Sequence, residues 1–233
     1  MADIQAIYVK HAEAAFLARY LDKLVERDAK ACVRLQRKGR VVGVFGAPPT
    51  ACISFVAIPL QEEHAFDDST PDPNLGRVVS AGRLRDCVGD VSHAPVADAN
   101  HRIQLPEAVT GPAELAMLPP QQGWQVEGQI EAGVLDGGVD QALADYRAQI
   151  DQNSAAPDAQ ARAQRVADEI WARPIVGKLP TRGAHTAKLL GFLSNPDVNV
   201  TILNNAGWTR LNTPSGQIFC PEEFGSLALR LMN

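Results

Sequence analysis

The chain has 233 residues, with 22 Lys+Arg against 27 Asp+Glu for a formal charge of -5, and 45 % hydrophobic and 21 % charged residues. That ordinary globular mixture excludes collagen, a coiled-coil rod, wholesale disorder and a strongly basic nucleic-acid coat protein. At about 100–200 residues per domain, the length suits one large domain or two small ones with a core that needs no staples.

The N-terminal stretch predicts a long helix. Ile4, Ile7, Tyr8, His11, Ala14, Ala15, Ala18, Leu21 and Val25 recur at three- and four-residue spacings, with charges on the other faces. Asp3, Lys10, Glu13, Arg19 and Asp22 interrupt any signal-peptide core. Strands are expected over Ala31–Gln36, Arg40–Phe45 and Cys52–Ile58, with Gly39 turning the first pair. The apolar window Ala51–Leu60 is far short of the ~20 residues a membrane helix needs.

An acidic, proline-bearing loop follows (Glu62, Glu63, Asp67, Asp68, Pro71, Asp72, Pro73), then a short strand at Arg77–Val79 and a turn of helix from Ser80. Val91–Asn100 reads as loop and His101–Leu105 as strand. Glu107–Leu118 has helical spacing broken by Gly111-Pro112, and Pro119-Pro120 forces the chain out of it.

Asp136 is placed to cap a helix over Gly137–Ile150, and Asp158 a second that ends near Trp171, before Pro174. A third is expected after Thr181, running to about Leu193, with Ala184, Ala187 and Gly191 as a small-residue strip. Strands Val198–Leu203, Gly207–Leu211 and Gln217–Cys220 and a helix over Glu222–Leu231, with Pro221 at its first position, complete the chain. The fold class is therefore α+β: N-terminal helix plus antiparallel meander, helical middle, C-terminal antiparallel meander. The natural division is 1–105 and 106–233, compatible with one continuous domain.

Charge is segregated. Residues 1–60 carry net +4, 61–158 net -12 and 159–233 net +3. A solvated acidic face explains this most simply; separate partner surfaces would also produce it.

Linear catalytic signatures are absent: there is no Gly-x-Ser-x-Gly, no phosphate-binding Gly-x-x-x-x-Gly-Lys-Ser/Thr and no His-Glu-x-x-His. Cys52, His64, Cys87, His93 and His101 fit no zinc spacing, so no metal and no cofactor are expected. The four cysteines (Cys32, Cys52, Cys87, Cys220) form no close pair in sequence and read as reduced thiols. Arg outnumbers Lys 16 to 6, which associates the chain with a GC-rich bacterial genome, and the expected location is the cytoplasm.

Two constellations stand out. Thr181 as N-cap, with Arg182 and Gly183 behind it and His185 and Lys188 three apart, would suit an anion at a positive helix end. Its bland counterpart is a capped helix with a polar face. Trp208 and Arg210 share one face of a strand, where they would stack on a ring if exposed, although such a Trp more often packs as core. Three functions compete: a cytoplasmic binding or assembly protein without chemistry, with a protein partner or a second copy; an enzyme or sensor for an anionic small molecule at Thr181–Lys188; and a divergent winged-helix nucleic-acid binder. The first requires least. The acidic balance and the eleven-residue Ala172–Arg182 connection weigh against nucleic acid.

Overall fold

The structure, a computed structural model, describes residues 6–61, 76–89, 100–153 and 159–222. It mixes helices with antiparallel strands, the α+β class, and divides into two compact units: Met1–Pro49 with Ile53–Leu118, and Thr50–Cys52 with Pro119–Asn233.

The first unit opens with β1 (Ala6–Lys10), not with helix. Ile7 and Val9 are buried in alternation, and the strand pairs antiparallel with β6 (Asn100–Gln104), Ile7 opposite Ile103. Five residues satisfy both a two-residue and a helical spacing, and the β-branched pair Ile7 and Val9 goes to the sheet. Helix α1 (His11–Arg27) follows, burying Ala14, Leu17, Tyr20, Leu21 and Leu24. The meander is β2 (Cys32–Lys38), β3 (Val41–Gly46) and β4 (Ile53–Pro59), with Gly39 at φ 57° in the first turn. Strand β5 (Val78–Ser80) adds to the far side of β2, so the order is β5-β2-β3-β4, antiparallel throughout. Ser80 caps α2 (Ala81–Val88) by accepting from the Arg83 N–H. Helical spacing at Glu107–Leu118 yields only a 3₁₀ turn at Ala113–Leu115, because Gly111 lies against Val78 and Pro112 precedes the turn. The acidic loop and Val91–Ala99 lie outside the described residues.

The second unit carries β10 (Asn199–Asn205), β11 (Trp208–Thr213) and β12 (Gly216–Pro221), the expected C-terminal meander. A strand not expected from the sequence, β7 (Gln125–Glu131), pairs with β10 to give the order β12-β11-β10-β7. Helix α3 (Ala132–Asn153) continues directly from β7, beginning five residues before the anticipated Gly137, and α4 (Ala159–Ala172) follows. Two short strands, β8 (Pro174–Val176) and β9 (Leu179–Pro180), form a hairpin turned by Gly177 at φ 54°. Helix α5 (Thr181–Leu189) then stops short of Leu193, since Gly191 takes φ 75°. The β8–β9 hairpin thus stands between α4 and α5, where a winged helix has a tight turn. The helix expected beyond Glu222 lies outside the described residues.

Among the described residues, no helix is long and apolar enough to cross a membrane.

Candidate functional site

Helix α5 leaves β9 through Pro180, which occupies the N-cap position with no side-chain cap. Thr181 is therefore the first helical residue rather than the cap. Its N–H and its hydroxyl both donate to the Arg173 carbonyl at 2.8 Å, which ties the start of α5 to the end of α4. Arg182 donates from Nη2 to the Pro221 carbonyl at 2.7 Å, gripping the end of β12.

Gly183 faces inward. A Cβ there would lie 2.5 Å from Cys220 Sγ and 3.0 Å from Leu179 Cδ1, so this glycine permits close packing of α5 on β12. His185 stacks on Trp171 of α4, ring centroids 4.4 Å apart and 12° from parallel. Lys188 turns to α3, where its Nζ lies 2.7 Å from Asp140 and 3.0 Å from Asp136. His185 and Lys188, expected to converge, instead serve different neighbours. Each side chain of the anion constellation braces α5 against something else in its own unit.

The second constellation divides. Trp208 is 6 % exposed and belongs to the core. Arg210, opposite Phe219 in the β11–β12 ladder, has its guanidinium carbon 5.6 Å from the Phe219 ring and 5.7 Å from that of Trp124. Burial lowers its pKa, yet from so high an origin that it stays a cation. Trp124 and Phe219 also touch, centroids 5.6 Å apart, and Trp124 donates to the Pro120 carbonyl at 2.8 Å. Arg210 thus already holds aromatic partners inside the unit. Phe219 is legible as its cross-strand partner once the hairpin register is known; Trp124 is not.

Sequence reasoning also missed a pair. Cys52 and Cys220, 168 positions apart, are free, buried thiols with sulfurs 3.5 Å apart. Thr186 Oγ1 is hydrogen-bonded to Thr50 Oγ1 and to the Arg182 carbonyl, both at 2.7 Å, and so links α5 to the Thr50–Cys52 segment. Burial pushes both thiols up. At Cys52 the hydrogen bonds of Cys220, Thr186 and Thr50 and the Arg182 charge outweigh it and hold the thiol below its ordinary value. Cys220, first through its bond to Cys52 and then through burial, is held well above. Among the described residues, no three His, Cys, Asp or Glu side chains gather where a metal ion could be held.

The fold these units build is similar to that of DNA polymerase III beta subunits. Against the subunit from Thermotoga maritima the TM-score is 0.50 at 11 % identity; against that from Pseudomonas aeruginosa it is 0.50 at 12 %. A DNA polymerase sliding clamp structure from Pseudomonas aeruginosa matches with a TM-score of 0.48 at 12 % identity. Each match covers 93 % of this chain and 64 % of the other, so the chain spans somewhat under two thirds of the length of these proteins. Residues 5–109 match the model of a domain of unknown function (DUF8010), and residues 119–224 that of another domain of unknown function (DUF8185). The first stretch falls in the first compact unit apart from Thr50–Cys52, and the second falls in the second unit. No curated protein matches the chain.

Proposed function

We propose that this protein works by binding and assembly with other proteins, in a cytoplasmic bacterial setting, and performs no chemistry of its own. The observation that carries this reading is the fold likeness to DNA polymerase III beta subunits over 93 % of the chain. Packing supports it as well. The side chains best suited to a small anion are spent on internal contacts: Arg182 on Pro221, His185 on Trp171, Lys188 on Asp136 and Asp140. A small molecule at Thr181–Lys188 has no such support.

Nucleic acid is the weaker candidate for a partner, despite the name of the similar proteins. Helix α3 carries Asp136, Asp140, Asp145 and Asp151 against Arg147, and α4 balances Arg162 and Arg165 with Asp168 and Glu169. Helix α3 is thus net acidic, α4 is balanced, and Lys188 is paired with Asp136 and Asp140, so these helices offer phosphates little positive charge.

The test is purification of the tagged full chain from its native cells, with and without nuclease. A protein partner, or further copies of the chain, should be retained in near-stoichiometric amount after nuclease treatment. Recovery as a bare monomer, or loss of the associated protein on nuclease digestion, would overturn the reading.

A further inference from the structure

The thiol pair of the second unit is not used by the proposed function, and its surroundings suit a reaction. Cys52 and Cys220 stand 3.5 Å apart, whereas a disulfide closes at about 2.05 Å, so one sulfur must move by roughly 1.5 Å. Gly183, whose missing side chain leaves room for Cys220 Sγ, lets the second thiol sit there. Hydroxyls of Thr50 and Thr186 and the guanidinium of Arg182 lie around Cys52, a setting that favours a thiolate. The other two cysteines lack this. Cys32 and Cys87 are only partly buried, and burial followed by the neighbouring Asp28 and Asp86 raises each thiol and disfavours its thiolate.

The turn beside Cys52 is strained as well. Ala51, beside Cys52, is exposed and holds a left-handed conformation at φ 54°, which a residue with a Cβ adopts at a cost. Opening this turn would relieve that cost, and it lies next to a sulfur-bearing residue that is otherwise only 1 % exposed.

We propose that Cys52 and Cys220 form a reversible dithiol–disulfide pair that a hydroperoxide closes. Cys52 thiolate attacks one peroxide oxygen, the O–O bond breaks, and Cys52 becomes a sulfenic acid while hydroxide leaves. That hydroxide takes the proton of Cys220. The resulting thiolate attacks the Cys52 sulfur, forming the S–S bond and expelling the sulfenic oxygen as hydroxide, which takes up the proton that Cys52 released to solvent on ionising and leaves as water. Two thiols lose two electrons, and one hydrogen peroxide becomes two waters. A thiol reductant reverses the closure. The closed form ties the Thr50–Cys52 segment covalently to the end of β12, the strand that Arg182 also grips.

The test treats the native full chain with hydrogen peroxide, quenches, denatures, alkylates without reductant and measures intact mass. The untreated chain should carry four adducts, one for each cysteine. The treated chain should carry two and recover four after dithiothreitol, and its non-reduced digest should contain the Cys52 peptide joined to that of Cys220. The double variant Cys32→Ser/Cys87→Ser, which leaves the buried pair intact, should still lose two alkylatable thiols. In Cys220→Ser, dimedone should trap a sulfenic acid at Cys52. Four adducts after treatment, or a bridge involving Cys32 or Cys87, would overturn the assignment whether or not the Cys220 variant folds.

Discussion

Gly183→Asp is expected to destabilise the second unit severely, although an acid in the first turn of a helix is ordinarily favourable by a few tenths of a kcal/mol. The reason is packing. Any Cβ at this position falls 2.5 Å from Cys220 Sγ and 3.0 Å from Leu179 Cδ1, both on buried residues. Overpacking of this kind costs about 1–3 kcal/mol, and a carboxylate driven into the same apolar space adds a comparable desolvation cost. Together they should lower the melting temperature by about 10 °C or more. Gly183→Ala should show the packing part alone, and Gly183→Ala/Cys220→Ala should recover much of it by removing the sulfur. Calorimetry of the four proteins decides the matter. A melting temperature unchanged in Gly183→Asp, together with a rise in the wild-type value on adding phosphate, would contradict the packing account and reinstate an open anion site.

In the first unit, Gly46→Ala should lose about 2–3 kcal/mol, through overpacking and a disturbed buried hydrogen bond. The added Cβ would stand 2.6 Å from the Tyr20 hydroxyl, 2.9 Å from Leu24 Cδ1 and 2.9 Å from Ser54 Oγ. Tyr20 is 2 % exposed and its hydroxyl pairs with Ser54 Oγ at 2.8 Å, so the rigid ring has nowhere to retreat. Burial raises the phenol far above its ordinary value, and Tyr20 stays neutral through the working pH range. Removing the hydroxyl makes room: Gly46→Ala/Tyr20→Phe should lie closer to Tyr20→Phe than Gly46→Ala lies to wild type. Urea unfolding of the cycle measures this coupling. Additive losses would show that Tyr20 does not brace α1 against the β3–β4 hairpin.

The parts of the fold legible in sequence were those whose signal is local. Strands β2 to β4 alternate, Gly39 supplies their turn, and β10 to β12 are marked by Asn-Asn-Ala-Gly and Thr-Pro-Ser-Gly. Strand β1 was hidden because Ile4, Ile7, Tyr8 and His11 complete a helical stripe into α1. Its extended form depends on β6, nearly a hundred residues away. Strand β7 offers only Val126 and Ile130 as apolar residues and is broken by Gly128, so β10 determines its state, with a register shift between Ile202 and Leu203.

The candidate site followed the same division. The composition of Thr181–Lys188 stood out in sequence, but Pro221, Trp171 and Asp140, which engage it, are set by tertiary structure. The Cys52–Cys220 pair left no trace because a contact between positions 168 apart has no spacing to recognise.

The claim that this fold serves protein partners and does not grip DNA is tested most directly by titrating the full chain into a labelled duplex and following anisotropy at 150 mM salt. The account predicts no saturable binding at low-micromolar protein and a shallow dependence of any weak binding on salt, because helix α3 is net acidic and Lys188 is already paired. Saturable submicromolar binding, weakening steeply as salt rises, would contradict it.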